Sequence, residues 1–596
     1  MKPSLSSNLR SAFGLPTWVS ERKDRVTVPP AHLIAGPEET PPTPLLVASV
    51  AQQVAVQLVY GIIALLVAGV LNLGPHETIA FLALSLLVMA GGGALQVLSR
   101  GPIGSGYALP LIPAISMLAP YALASEAGAT PGQIGLLCIA AGLITALLLI
   151  FVRSFLTILA TIPSDVAGLV TFSIGAAVVA QAPTTLGLDF EASNTSGLLA
   201  VAFVTFACTG LLALVPGLVA LFALPLSAAV GSALALLLGL RDEAAWDSLT
   251  SASWIALPVP MPPAAVLPDL ALLPAFMIGI LVILLASRNS LLMIQRAGDA
   301  SWRRADLPPI QRGLFAQALT IIGAGAIGGM PAAISRKHVI LSVQTRVQSR
   351  RIVLVGSAAL LVLALSPKII AMFILMPAPV KAALLFYFGS VMMVAGCQAV
   401  ASRELDARRI LLVGATLSTA LLVMTLPQAI ITALPLWLRS PMMASAMTAL
   451  SIHLLTIPLV SKRKSLVVKL GAAAGKDISD RCAAIAGAWG LKRVVAMRLE
   501  RALVELGEAL YARGQRRLEA KLNWAEDAVE VQLHVEGDPL PITGGGAVTT
   551  ADELLLNDAA LERFTVWLAL RQAEQVIQHS RGGSRHELSF LIPGND

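Results

Sequence analysis

Residues 100–113 read RGPIGSGYALPLIP, and residues 323–335 read GAGAIGGMPAAIS. Both stretches are too rich in glycine and proline for plain helices, because glycine permits non-helical backbone and proline removes a hydrogen-bond donor. Inside a bilayer, irregular backbone survives only where protein or a water-filled cavity surrounds it. A pair of interrupted segments in comparable places of two halves predicts an inverted-repeat transporter with its site at the bilayer midplane. The alternative is that the glycines only allow close helix packing.

Composition places the chain among membrane proteins. Of its 596 residues 56% are hydrophobic and 13% are charged, against about 25% charged in soluble proteins. Residues 461–596 contain 18 Lys and Arg and 18 Asp and Glu, so the net charge of +7 belongs to the membrane part. Basic residues precede the first span and follow the last, which predicts cytoplasmic termini and a bacterial inner-membrane location. The sequence shows no basic face with interleaved aromatic residues, so nucleic-acid binding is not expected. The expected partners are lipid and a small solute.

Uncharged runs of about 20 residues predict twelve to fourteen membrane spans. The predicted domains are a cytoplasmic N-terminal segment (1–44), a membrane transporter domain (45–460), a linker (461–476) and a soluble α/β domain (477–596). The four cysteines have neither metal nor redox spacing. No nucleophile–base pair or metal constellation is present, so neither enzymatic activity nor a cofactor is expected.

Four motifs resemble the nucleobase–ascorbate transporters, a family that includes bacterial uracil and xanthine permeases, over most of residues 38–460. They are PEETPPTPLLVASVAQQV (37–54), ALQVLSRGPIGSGYALP (94–110), IPSDVAG (162–168) and GAIGGMPAAISRKHVILSVQTRVQSR (325–350). The resemblance implies a mainly α polytopic fold of fourteen segments, arranged as two inverted repeats of seven and divided into a core and a gate domain. It also implies a nucleobase-like solute. The oligomeric state is left open between a monomer and a homodimer.

Departures from the family concentrate at its solute site. The family's glutamate on the eighth segment is missing, because residues 270–298 contain no Asp or Glu and Arg288 is the nearest charge. On the tenth segment, the family's Gln or Glu followed by Asn becomes Lys337-His338. The family's Gln-His pair on the first helix becomes Gln52-Gln53. Hydrogen-bond acceptors for a neutral base are thus replaced by donors and cations. This favours one of two mechanisms: either the site selects an anionic solute, or a fixed positive side chain takes the place of a coupling cation.

The candidate residues follow from the resemblance and from the cost of charge in a bilayer. Arg288 is interpreted as facing the solute, or alternatively as reaching an interface or pairing with Asp165. The basic residues after the second broken stretch form an anion site, or else lie at the cytoplasmic boundary. The candidates for solute binding are Tyr107, Ala108, Arg288, Arg336, Lys337 and His338, and those for coupling or support of the core are Gln53 and Asp165.

The C-terminal region predicts a compact α/β module. Helices are expected over 499–513 and 561–580, and strands over 529–538 and 585–593. The order resembles the ATP-binding fold of histidine kinases and anti-sigma factors. Glu505 matches the start of that family's E-x-x-x-N motif, but Ala509 replaces its Asn, and no D-x-G-x-G follows the first strand. A degenerate module that binds a cytoplasmic partner is therefore expected. An alternative function for the whole chain is a transport-inactive sensor or scaffold that signals through this module.

Overall fold

The structure is a computed structural model, and it describes most of the chain. The described residues are 29–99, 101–152, 155, 159, 164–186, 195–215, 219, 222–240, 243–300, 306–401, 407–435, 438–456, 463–471, 474–525, 528–541, 558–571, 573–580 and 585–592.

The first half of the membrane region is helical on either side of one short strand. Its elements are α1 (Thr43–Tyr60), α2 (Ile62–Val70), α3 (Pro75–Val97), β1 (Leu111–Pro113), a 3-10 turn (Ile115–Met117), α4 (Leu118–Glu126), α5 (Pro131–Phe151), α6 (Ser164–Leu186), α7 (Thr195–Leu214), α8 (Ala223–Leu237) and α9 (Glu243–Ser251).

The second half repeats this pattern of long helices interrupted by one strand. Its elements are a 3-10 turn (Leu270–Leu272), α10 (Leu273–Ala297), α11 (Leu307–Ile327), β2 (Ala332–Ile334), α12 (Arg336–Thr345), α13 (Arg350–Ala364), α14 (Pro367–Ile374), α15 (Ala378–Ala401), α16 (Ala407–Thr425), α17 (Gln428–Ala433) and α18 (Pro441–Thr456).

The prediction of a helical, polytopic membrane protein is confirmed. Within the described residues, nine helices are long and apolar enough to cross a bilayer, counting α1 and α2 as one and α10 with its preceding turn. α8 and α18 are shorter apolar helices. The count of fourteen segments stays a prediction.

The chain divides into two compact units. The first contains the described residues up to Leu159, from Val170 to Gly396 and from Thr419 to Ala446. The second contains the beginning of α6, the sections Cys397–Ser418 and Met447–Asp596, and therefore the whole C-terminal sheet.

Two helices of the first unit cross with their backbones in direct contact. A Cβ atom on Gly135 of α5 would lie 2.7 Å from the Gly325 carbonyl oxygen, and one on Gly325 of α11 would lie 2.4 Å from the Gly135 carbonyl oxygen. No side chain fits at either position, and small residues at a crossing are how membrane helices reach this spacing.

The C-terminal unit contains a five-stranded antiparallel sheet with the order β3-β4-β5-β7-β6. Its elements are β3 (Arg463–Lys469), α19 (Ala474–Trp489), α20 (Arg493–Ala512), β4 (Arg517–Ala525), β5 (Ala528–Glu536), α21 (Asp558–Leu570), β6 (Glu574–Ser580) and β7 (Arg585–Ile592). Leu499, Leu503, Leu506 and Leu510 form a buried stripe on α20, in the hydrophobic core that also buries alternate residues of β5. The resemblance of this module to the ATP-binding fold stays a prediction.

Two boundaries predicted for this module are wrong. The predicted linker 461–476 contains β3, because Leu466 and Val468 alternate into the core and the strand pairs along its length with β4. The predicted helix over 561–580 ends at Leu570, and the residues from Glu574 form β6 against β7. The sequence AEQ (573–575) favours a helix, but pairing with β7 makes this segment a strand, and the β-branched Val576 and Ile577 favour that conformation.

Cys482 gives a solution test of this core. Burial, helped by the charge of Glu500, raises the pKa of the Cys482 thiol to about 12. The reactive species is the thiolate, so alkylation by iodoacetamide at pH 8 should be at least about 100-fold slower than in the protein unfolded in detergent. Peptide mass spectrometry of Cys482 measures this ratio, and equal rates in both states would contradict the packing of α19 against the sheet.

Candidate functional site

The two broken stretches meet as a small antiparallel sheet. Leu111 pairs with Ile334, Ile112 with Ala333 and Pro113 with Ala332. The Ser335 amide donates to the Pro110 carbonyl at 3.1 Å, which extends the pairing by one residue. A short helix follows each strand, α4 on one side and α12 on the other. The prediction that both stretches leave the helical conformation is confirmed, and this pairing brings them together.

Buried side-chain amides satisfy backbone groups that the irregular segments expose. Nε2 of Gln57 donates to the Leu111 carbonyl at 2.8 Å, and Nε2 of Gln317 donates to the Ala332 carbonyl. The hydroxyl of Ser85 accepts from the Met330 amide at 3.0 Å. Both glutamines are at most 1% exposed. Gln57, Gln317 and Ser85 were not among the predicted residues. Their sequence signal is a polar residue in the middle of an apolar helix.

Replacing Gln57 with leucine tests this support. The Leu111 carbonyl would lose its side-chain donor, and such a loss costs about 1–3 kcal/mol. We expect a lower melting temperature for Gln57→Leu in detergent, whereas Gln344→Leu, at an exposed position near the end of α12, should melt like the unmodified protein. Equal melting temperatures for the two variants would show that Gln57 does not support β1.

The first turn of α12 exposes two cations. Ser335 caps the helix and its hydroxyl accepts from the His338 amide at 3.4 Å. Arg336 and Lys337 follow the cap and are both exposed. A helix N-terminus carries a partial positive charge, and these side chains increase it.

One tyrosine lies next to this turn. Tyr60, at the end of α1, interacts electrostatically with both Arg336 and Tyr387 of α15. The ring of Tyr60 lies 6.1 Å from that of Phe388. Arg336 therefore has Tyr60 of α1 as a neighbour. Tyr60 was not among the predicted site residues, because its proximity to Arg336 arises only from the fold.

His338 points elsewhere. Its Nε2 lies 3.2 Å from the Gln53 carbonyl oxygen, and its side chain is buried. Nε2 of Gln53 donates to Oε1 of Gln57 at 3.2 Å. The structure thus groups His338 with the predicted support residue Gln53 and with α1, away from the exposed side chains of Arg336 and Lys337.

The other predicted site residues are dispersed. Tyr107 is partly buried and its side chain interacts with Gln295 at the end of α10 and with the charges of Asp306, Arg312 and Arg350. Ala108 lines a crevice together with His338.

Arg288 is half-buried on α10, a helix that packs against α12. The side chain of Asp165 lies outside the described part of the chain, although the residue belongs to α6. The roles proposed for both residues stay predictions.

Two arginines hold the glycine-rich approach to β1. Arg350 donates to the Gly106 carbonyl and to the hydroxyl of Ser99, and it pairs with Glu38 at 3.3 Å. Arg312 donates to the Ser99 carbonyl at 3.2 Å. Gly104 has φ of +89° and a Cβ there would lie 2.3 Å from the Leu98 carbonyl oxygen, so only glycine fits.

An N-terminal strap (residues 34–39) covers the turn between α12 and α13. The Ile34 amide donates to the Arg346 carbonyl and the Gln348 amide donates to the Ala35 carbonyl, both at 2.9 Å. The Ser349 hydroxyl donates to the Glu39 carbonyl at 2.6 Å. The strap thereby joins this turn to residues that precede α1.

A cluster of metal-ligating side chains is absent from the described residues. The geometry instead offers exposed cations at a helix N-terminus that follows paired, non-helical strands. Residues 45–451 match the family model of the permease family that is named for xanthine and uracil. The chain belongs to this permease family. Membrane transport is therefore the activity class of the protein, and its solute is not given by the family match.

Two of the solved structures that are similar to this permease are described as a bicarbonate transporter and an anion transporter. The transmembrane domain of a cyanobacterium bicarbonate transporter, BicA, shares 13% identity at a TM-score of 0.40, covering 68% of this chain and 97% of that chain. Murine solute carrier 26 family member A9, in its inward-facing state, shares 12% identity at a TM-score of 0.45, covering 79% of this chain and 74% of that chain. No curated protein matches the chain.

Proposed function

We propose that this permease is a secondary transporter that moves a small polar solute, nucleobase-like or anionic, across the bacterial inner membrane by alternating access, with both termini in the cytoplasm. The observation that supports this most directly is the exposed pair Arg336 and Lys337 on the first turn of α12, directly after the paired strands. An anionic solute fits this turn better than a neutral base.

The charge of the surrounding sequence supports an anion. Residues 307–401 contain Arg and Lys but neither Asp nor Glu, and residues 270–298 also lack acidic side chains. The solute would therefore meet two side-chain cations and the positive end of a helix, with no carboxylate from these segments to neutralise them. Tyr60 would add a hydroxyl group and a ring face, which suit a planar anion such as a deprotonated oxopurine.

Uptake into proteoliposomes tests the proposal. Purified protein would be reconstituted and supplied in turn with radiolabelled uracil, xanthine, urate, bicarbonate and sulfate. Accumulation of at least one of them above protein-free liposomes is expected, with anions taken up best. Background uptake of the whole panel would refute transport of this solute class.

One contact favours the alternative of a sensor. Within the second unit, Arg409 on the first turn of α16 is 4% exposed and donates to the Gly490 carbonyl at 3.3 Å, at the end of α19. A membrane helix thus touches the soluble module through a buried arginine, which would pass a change in one to the other. If the panel fails, binding of a cytoplasmic protein to residues 463–596 in Arg409→Ala and in unmodified protein would test the sensor function.

A further inference from the structure

The segment that joins α9 to the 3-10 turn before α10 is non-helical and apolar. This apolar segment (residues 252–268) reads ASWIALPVPMPPAAVLP, with five prolines and no charged residue. Large exposed apolar patches mark surfaces that contact another molecule or a membrane. The apolar segment is such a surface, because six of its large side chains are each 69–82% exposed: Trp254, Ile255, Leu257, Val259, Val266 and Leu267.

The apolar segment runs past the ends of three helices. The Ala256 amide donates to the carbonyl of Leu365, directly after α13, at 3.0 Å. The Met261 amide donates to the carbonyl of Ile327, the last residue of α11, also at 3.0 Å. On the first turn of α5, the side chain of Gln133 donates to a carbonyl of the segment at 3.5 Å. α5 and α11 are each 21 residues long, and at about 1.5 Å per residue they span roughly the 30 Å of a hydrocarbon core. Their ends therefore place the apolar segment at the edge of the bilayer.

The backbone and two side chains restrict the depth further. Irregular backbone exposed to lipid does not occur within the hydrocarbon core, because its amides would lack acceptors. The Nζ atom of Lys368 lies 6.0 Å from the centre of the Trp254 ring and donates to the Thr250 carbonyl at 3.2 Å. Tryptophan is enriched where hydrocarbon meets water, and lysine reaches the headgroups from that level. Both observations indicate the headgroup region.

We propose that the apolar segment is a lipid-contacting surface, which lies in the headgroup region and inserts its exposed side chains between the upper parts of the acyl chains. Phospholipid is the occupant because the exposed apolar surface continues onto Leu270, which begins the span of α10 and is 66% exposed. Lys368 would meet the lipid phosphate beside the ring of Trp254. The contact holds the ends of α5, α11 and α13 at one depth, and it is separate from the proposed solute site.

Fluorescence quenching measures the depth of the apolar segment. In a background that keeps only the two buried cysteines, Cys138 and Cys482, Leu257→Cys would be labelled with the fluorophore NBD. Ala127→Cys is the matched control, because it lies in an exposed turn just before α5, at the same end of that helix. The labelled full chain would be placed in nanodiscs of phosphatidylcholine and phosphatidylglycerol. The quenchers are iodide in the water and lipids that carry a nitroxide either near the headgroup or near the end of the acyl chain.

The shallow nitroxide should quench the label on Leu257→Cys at least about twofold more than the deep nitroxide, and iodide should quench it at least about threefold less than the label on Ala127→Cys. Equal iodide quenching at the two positions would place the segment in water and overturn the proposal. Stronger quenching by the deep nitroxide would overturn the headgroup level. A label shielded from iodide that neither nitroxide quenches would show that protein, such as a second copy of the chain, covers the segment instead of lipid. Val266→Cys, labelled in the same way, gives the same readout if Leu257→Cys aggregates.

Discussion

Replacing Arg336 with alanine should reduce solute uptake about 10- to 100-fold while leaving the amount of folded protein unchanged. The side chain is exposed at the start of α12, so folding does not depend on it. A hydrogen bond to a charged group contributes about 1.5–3 kcal/mol, and 1.36 kcal/mol corresponds to a tenfold change. Initial rates in proteoliposomes, with a solute identified from the panel, measure the loss.

Arg351→Ala is the matched control, because Arg351 is an exposed cation on the neighbouring helix α13. It should transport like the unmodified protein. Arg336→Lys keeps the charge but loses the planar fork, so it should fall between the two. Uptake by Arg336→Ala equal to that of Arg351→Ala would remove Arg336 from the solute site and leave the proposal without its main support.

Gly325→Ala should destabilise the protein by forcing two helix backbones apart. The added Cβ would lie 2.4 Å from the Gly135 carbonyl oxygen and 3.0 Å from Cβ of Cys138. Backbone cannot rotate aside as a side chain can, so α5 and α11 must separate. Overpacking typically costs about 1–3 kcal/mol and sometimes more. We expect a melting temperature about 1–4 °C lower, because the shift per kcal/mol falls as the chain gets longer.

Gly323→Ala provides the comparison on the same helix. A Cβ at Gly323 meets nothing within 4 Å, so this variant should melt at the temperature of the unmodified protein or slightly above it. Fluorescence-detected size exclusion after heating measures both variants in detergent. Similar melting of the two would show that α5 and α11 are not in backbone contact.

The sequence predicted the broken stretches well because their cause is local. Glycine and proline forbid regular helix wherever the chain goes, and Ser335 is a favoured N-cap residue. The rule that irregular backbone in a bilayer needs protein or water around it predicted a site at these stretches, but it did not predict that β1 pairs with β2.

The directions of individual side chains were not predictable in the same way. Arg336, Lys337 and His338 are consecutive, and a helix sends successive side chains about 100° apart. The sequence grouped all three as solute ligands, whereas packing against α1 buries His338 and leaves the other two exposed. Tyr107 was assigned to the solute on the position of its backbone, but its side chain lies near Gln295.

The soluble module shows the same limit. β3 and β6 were missed because a strand at an edge of a sheet is recognised by its partner as much as by its own residues. Lys464 and Lys469 at either end of β3 gave it the composition of a linker.

The N-terminal strap has a consequence for biosynthesis. Its residues leave the ribosome early, but the carbonyl of Glu39 meets its donor on Ser349, 310 positions later. Helix α1 therefore lacks this contact in the bilayer until α10, α11 and α12 of the second half have been synthesised. During that interval α1 would depend on a chaperone or an insertase. If the protein is expressed as two fragments divided between α8 and α10, the fragments should assemble only when the first fragment includes residues 34–39.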